Sequence, residues 1–199
     1  MSHAVVDADP VRAAGEAVVN EISCGRAVVA IGGNRGALLF FAAEAASTAL
    51  LSFAIRHSSG LIHAAMRSSR LDLLRIHDQP VLSSEDRSLG FTVAVDAVGV
   101  GTGISGRDRA LTLRRLGSPD AQPDDFHRPG HVLPVRCPDF PCNDRDRLWD
   151  YIIEIVQRAG FTPVAAACRL VHDSGDVLDD AGAREFAARF GLVLASIGL

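Results

Sequence analysis

Residues Phe91 to Leu113, FTVAVDAVGVGTGISGRDRALTL, constrain this chain more than any other stretch. Phe91-Thr-Val-Ala-Val95 is rich in β-branched residues and short enough for a strand. Gly99, Gly101 and Gly103 follow, and glycine accepts backbone angles that other residues resist. Ser105 then precedes Asp108 in the manner of a helix N-cap with a carboxylate in the first turn, although a strict capping box carries Glu or Gln there. A strand, a glycine turn and a helix start in succession present unpaired N–H groups, where phosphate binds readily. Thr102, Ser105, Arg109 and Thr112 can add side-chain donors. The same spacing also describes no more than a tight strand-to-helix connection, because a glycine-rich turn alone is a weak signal.

At 199 residues, one domain spanning 1–199 is the expectation, with room for a substantial core. Apolar residues make up 48% and charged residues 22%, as in ordinary soluble proteins. A net charge of -4 gives no pull toward nucleic acid or an acidic membrane surface. Apolar runs fall short of the roughly 18 residues of a spanning helix. The start, Met1-Ser-His-Ala, lacks a basic region followed by an apolar core, so the expected location is the cytoplasm. Cys24, Cys137, Cys142 and Cys168 lack zinc-site spacing and read as free thiols. All 20 Lys-plus-Arg positions are arginine. Schiff-base chemistry on lysine and a Walker-type phosphate lysine are therefore excluded, and anion binding falls to arginine, histidine, hydroxyls or backbone.

Along the chain, Pro10 suits the first position of a helix running to Ile22, and Gly25 suits its stop. Strands are expected at 27–31, 37–43, 61–65, 91–95, 131–136, 163–170 and 193–197. Helices are expected at 45–56, apolar on nearly every face and therefore buried, at 68–73, from about Ser105 to Gly117, at 144–160 with an apolar stripe through Leu148, Ile152, Ile155 and Val156, and at 179–190. Ser118 to Pro129, with its prolines and acids, reads as loop. The mixture of β and α throughout, with no repeat, predicts an α/β fold of layered type.

These residues carry a resemblance. FTVAVDAVGVGTGISGRDRALT closely resembles the signature of the 3,4-dihydroxy-2-butanone 4-phosphate synthase family of the riboflavin pathway. Ile55-Arg-His-Ser-Ser-Gly-Leu61, Arg128-Pro-Gly-His-Val-Leu-Pro134, Phe41-Ala-Ala-Glu44 and the ending FAARFGLVLASIGL agree in order and spacing. The resemblance implies a three-layer α/β/α domain with a mixed sheet and a homodimer sharing residues across two active sites. It also implies a magnesium-dependent lyase converting ribulose 5-phosphate to dihydroxybutanone phosphate and formate, by proton abstraction, enolisation, a skeletal shift and loss of formate. A divalent cation suits developing enediolate charge, and nearby carboxylates suit proton transfer.

The departures fall where the family keeps its catalysts. Its acidic loop maps onto Gly33, Asn34 and Leu38, and no acidic residue lies between Glu21 and Glu44. Arg35 can partly replace the loop's arginine. Counting back from Ala159-Gly160, Arg145 matches the phosphate-contacting arginine, Leu148 stands for a metal-binding histidine and Trp149 for a threonine. The late catalytic glutamate falls at Arg169, and His63 stands where relatives often carry cysteine. Magnesium wants oxygen ligands, and Asn34 and Leu148 are poor substitutes, so no metal ligand and no cofactor are expected here.

The expectation is thus a divergent homologue without parent activity, repurposed as a metal-independent enzyme on a phosphorylated or anionic small molecule in a specialised biosynthetic pathway. Alternatives are a non-catalytic paralogue that binds sugar phosphate or partners an active homologue, and a genuine synthase. Candidate acid/base residues are His131, His57 and His63. Candidate substrate or phosphate contacts are Thr102, Ser105, Asp108, Arg109, Thr112, Arg145, Arg35, Arg56, Ser59 and Arg169. A homodimer is expected, with no nucleic acid or membrane partner.

Overall fold

The computed structural model describes residues 10–32, 35–82, 84, 90–140 and 147–197. Helix α1 (Pro10–Ser23) opens on proline and stops before Gly25, whose φ of 71° suits a helix end. Then come β1 (Val28–Ile31), β2 (Leu38–Ala42), α2 (Thr48–His57), β3 (His63–Arg67) and α3 (Ser68–Leu73). The short β4 (Gly90–Phe91) and β5 (Val95–Ala97) precede α4 (Gly106–Gly117). The chain ends with β6 (Phe126–Cys137), α5 (Arg147–Arg158), β7 (Val164–Arg169), α6 (Asp180–Phe190) and β8 (Leu194–Ser196).

The strands form a mixed sheet in the order β4-β6-β3-β7-β2-β1-β8, with β5 pairing to β6 off that path. Pairs β3/β6 and β1/β8 are parallel, and the other pairings are antiparallel. Strands covered on both faces read as continuous apolar runs, as in VVAI of β1 and LLFFA of β2. Alternate residues divide between the two faces. Leu39, Phe41, Ala64, Met66, Ala166 and Cys168 pack with Leu51 of α2, Leu113 and Leu116 of α4, and Ala183 and Ala187 of α6. Leu38, Phe40, Ala65, Ala165 and Ala167 pack with Val18 and Ile22 of α1 and with Leu148, Trp149, Ile152 and Val156 of α5. Helices thus cover both sides of one sheet, which is the three-layer α/β/α arrangement anticipated. The apolar stripe of α5 is buried throughout, and Asp150 on its flank pairs with Arg67 at the end of β3, 2.5 Å apart.

Several local expectations need correction. The strand expected at 91–95 is split. Thr92 N donates to the Pro134 carbonyl and Val93 N to that of His77, so the chain leaves β4 and resumes pairing at β5, farther along β6. Strand β6 starts earlier than expected because Phe126 and His127 pair with Ala97 and Asp96, in spite of Pro129. Helix α2 starts later, where Ser47 Oγ accepts from Leu50 N, and it is not buried all round. Only Leu51 and Ala54 on it are buried, because one side faces α4 while Thr48, Ala49 and Ser52 face water. The strand expected at 61–65 lies at His63–Arg67. No described helix is long and apolar enough to cross a membrane.

Leu113 is fully buried between α4 and the sheet. Leu113→Ala should lower the unfolding free energy in urea by about 2–5 kcal/mol, the usual cost of a truncated core leucine. A loss below about 1 kcal/mol would show that α4 is not docked as described.

Candidate active site

The N-terminus of α4 is built from its own hydrogen bonds. Ser105 Oγ accepts from Asp108 N at 3.0 Å, which caps the helix. The Asp108 carboxylate in turn accepts from Gly103 N at 3.2 Å, closing the glycine turn. Thr112 Oγ accepts from Ala97 N at 3.0 Å and donates to the Asp108 carbonyl at 3.1 Å, fastening the helix to β5. Gly103, at φ 81°, rests directly on the Asp96 carboxylate and the His131 ring, leaving no room for a Cβ.

Asp96 and His131 form a carboxylate–imidazole pair beside this turn. One carboxylate oxygen of Asp96 accepts from His131 N at 2.9 Å, and the other lies 2.7 Å from His131 Nδ1. Asp96 is 7% exposed, whereas the His131 side chain keeps 38% of its surface. A buried carboxylate on Nδ1 orients the imidazole and leaves Nε2 for a substrate. With Nδ1–H donated to Asp96, Nε2 carries a lone pair and can take a proton. Exposed Thr102 and Ser105 stand on the adjoining turn.

A second group lies at the same end of the sheet. His63 opens β3 opposite Leu133 of β6, two residues beyond His131 in the sequence. Its ring stacks on Phe91 at 5.7 Å and meets Trp149 edge-on at 5.4 Å. Arg169, ending β7, lies over the Trp149 ring at 5.8 Å and donates to the Gly36 carbonyl at 2.7 Å. Burial, with a smaller push from Arg169 and partly offset by the Leu133 carbonyl, lowers the His63 pKa from 6.5 to about 4.

Other candidate residues sit as follows. Arg109 is buried and donates to the Gly60 carbonyl at 3.0 Å, so it ties α4 to the loop after α2. The Thr112 hydroxyl is fully buried and committed to backbone partners, which corrects its expected role as a phosphate donor. His57 packs between Phe53 and Phe190, with centroids 4.9 and 4.7 Å away, in an aromatic group of α2 and α6. His63 is buried, and burial favours its neutral form near pH 7. Arg56, in the last turn of α2, and Ser59 and Arg35, outside the helices and strands, are exposed. Arg145 and Asn34 lie outside the described residues. What the sequence reading missed is the Asp96 partnership, since Asp96 stands 35 positions from His131.

Two outcomes follow from this packing. A histidine whose folded pKa is depressed loses stability as pH falls, because the unfolded chain takes the proton first. Urea unfolding should therefore lose up to about 3 kcal/mol between roughly pH 6.5 and pH 4 through His63, at 1.36 kcal/mol per unit, and His63→Leu should flatten that part of the curve. An unchanged profile in the variant would place the titration elsewhere. Gly103→Ala should displace the Asp96 carboxylate, seen as a changed His131 imidazole signal in NMR; an unaltered signal would contradict the contact.

The comparisons with known proteins agree with one another. The sequence profile of 3,4-dihydroxy-2-butanone 4-phosphate synthase matches residues 16–198. The riboflavin biosynthesis protein RibBA of Mycobacterium tuberculosis is 35% identical over 189 residues, covering 92% of this chain. This chain spans 44% of that relative's length. A solved 3,4-dihydroxy-2-butanone 4-phosphate synthase in complex with two magnesium ions superposes with a TM-score of 0.83 at 32% identity, over 92% of both chains. The synthase of Candida albicans gives 0.81 at 28% identity, also over 92% of both chains. The magnesium complex overturns the expectation that no cofactor is involved. Within the chain, however, the described residues do not make a donor set for it: Leu148 is fully buried and has no ligating atom, and no cluster of three or more His, Cys, Asp or Glu able to hold a metal occurs among them. With a family profile spanning nearly its whole length and a fold shared with solved synthases, the chain belongs to the 3,4-dihydroxy-2-butanone 4-phosphate synthase family.

Proposed function

We propose that this chain is a synthase of the riboflavin pathway that converts ribulose 5-phosphate to dihydroxybutanone phosphate and formate. The observation that carries this is the Asp96–His131 pair, a half-exposed imidazole held at 2.7 Å by a buried carboxylate beside a glycine turn and a helix start. Enolisation of a ketose needs a base that removes a proton from the carbon next to the carbonyl and returns it elsewhere. His131 Nε2 takes that proton, and Asp96 stabilises the imidazolium that forms. The atoms of the two products sum to those of the substrate, so the sequence of shifts needs no external oxidant or reductant. The phosphate is held at the start of α4 by backbone N–H groups with Thr102 and Ser105, and Arg145, Arg35, Arg56 and Ser59 are the further candidate contacts. Favouring negative charge at a helix N-terminus supports that placement.

Assembly as a homodimer is part of the same proposal. Leu61, Val98 and Ile104 are about half exposed around the glycine turn, an apolar rim that a second copy would cover.

A different use of the same scaffold has one observation in its favour. Arg169 places a cation where the resemblance implies a catalytic glutamate, and Leu148 and Trp149 are buried where it implies a metal-binding histidine and a threonine. On that second reading the chain binds a phosphorylated or otherwise anionic molecule and performs other chemistry, or none.

Formate release from ribulose 5-phosphate, assayed with magnesium present and after chelation, separates the two. Turnover by the wild type is expected, with His131→Asn lowering kcat by about 10²–10⁴-fold, the usual contribution of a positioned acid/base. Binding of ribulose 5-phosphate without formate release would favour the second reading.

A further inference from the structure

His63 and Trp149 share an anomaly. His63 Nδ1 and Trp149 Nε1 are buried side-chain atoms without a hydrogen-bond partner. Buried polar atoms in folded proteins are seldom left so, and an exception calls for a ligand, an ion or a water. Arg70 Nε and Arg109 Nε share that status but differ in kind, because other nitrogens of both guanidinium groups donate to backbone carbonyls. The rings of His63 and Trp149 meet edge-on at 5.4 Å, and the residues are 6% and 3% exposed.

The chemistry of these atoms is complementary. The indole N–H only donates. A neutral imidazole carries one N–H and one lone pair, so with the proton on Nε2 the unpartnered Nδ1 is an acceptor. A donor and an acceptor within one cluster match a hydroxyl, which gives one hydrogen bond and takes another. Arg169, over the indole face, adds positive charge at the rim. The location fits a substrate. His63 is level with Leu133, and His131 lies two residues back along β6, about 7 Å by strand geometry. A ligand of sugar-phosphate size therefore spans from the Asp96–His131 pair to this cluster.

We infer that His63 Nδ1 and Trp149 Nε1 form a hydroxyl-binding subsite that selects polyol substrates for this chain: a ligand hydroxyl donates to Nδ1 and accepts from Nε1–H. The inference rests on the proposal that a phosphorylated ketose binds beside Asp96 and His131. His63 and Trp149 act as specificity-determining residues, and the proton chemistry stays with His131.

Trp149 is the only tryptophan of the chain, so its emission reports on this subsite without a label. The full chain, with magnesium, is titrated with ribulose 5-phosphate and separately with inorganic phosphate, while calorimetry measures binding independently. A saturable change of Trp149 emission is expected with ribulose 5-phosphate and not with phosphate, at the Kd that calorimetry gives. His63→Leu should weaken ribulose 5-phosphate binding by about tenfold or more, as expected for a site that loses a hydroxyl partner, with phosphate binding unchanged. Trp149→Phe, read by calorimetry, should weaken it similarly, and His131→Asn should retain the emission change. Calorimetric binding with silent emission, or variants at both positions that bind like the wild type, would overturn the subsite and leave the proposed function standing. If ribulose 5-phosphate does not bind at all, the proposed function falls and the subsite falls with it. Should either variant fail to fold, the wild-type emission titration still decides.

Discussion

One carboxylate holds the candidate site together. Asp96 accepts from both the backbone N–H and the ring Nδ1 of His131, so a single side chain fixes the course of β6 and the direction of the imidazole. Hydrogen bonds to an ionised acceptor are among the stronger ones available to a protein. Asp96 is 7% exposed, where such bonds are poorly replaced by water. The glycine turn is shaped around this pair. Gly103 has no side chain because the carboxylate and the ring occupy that space. Its N–H is then taken by Asp108, which the Ser105 cap holds in the first turn of α4. A carboxylate–imidazole pair and a helix N-terminus are thereby brought to one place.

The sheet provides the rigidity behind that arrangement. Its middle strands are covered on both faces, and the small side chains of Ala64, Ala65, Ala165, Ala166 and Ala167 leave room for helices to approach. Parallel pairing of β3 with β6 sets His63 level with Leu133, next to His131. Antiparallel pairing of β3 with β7 sets Ala167 opposite His63, so Arg169 emerges at the same end. Residues from four distant parts of the chain, near 36, 63, 131 and 169, therefore meet at one end of the sheet because of strand order alone. Function follows from topology here more than from any local motif.

Much of this was legible beforehand. Alternation and apolar runs located most strands and helices, and α5 was predicted down to its buried stripe of Leu148, Ile152, Ile155 and Val156. The glycine turn and the Ser105 cap were read from spacing, because both obey local backbone rules. What failed had non-local causes. The strand expected at 91–95 is interrupted because carbonyls of Pro134 and His77 claim its N–H groups. Thr112 looked like a donor for a ligand, but its hydroxyl is spent on Ala97 and Asp108. The reading of Asn34 and Leu148 as evidence against a cofactor reasoned from single positions, and the magnesium complex of a structural relative does not support it.

The amino-acid sequence by itself determined the layered α/β class, the family and the order of its motifs, because these depend on periodicity and on residue types at short spacing. Only the tertiary structure decided that Asp96 belongs to His131, that His63 is buried against Trp149, and that Arg169 closes over the indole. Those pairings join residues 35, 86 and 20 positions apart. Burial then sets their protonation and hydrogen bonding, and burial is a property of the assembled layers that no short window of sequence contains.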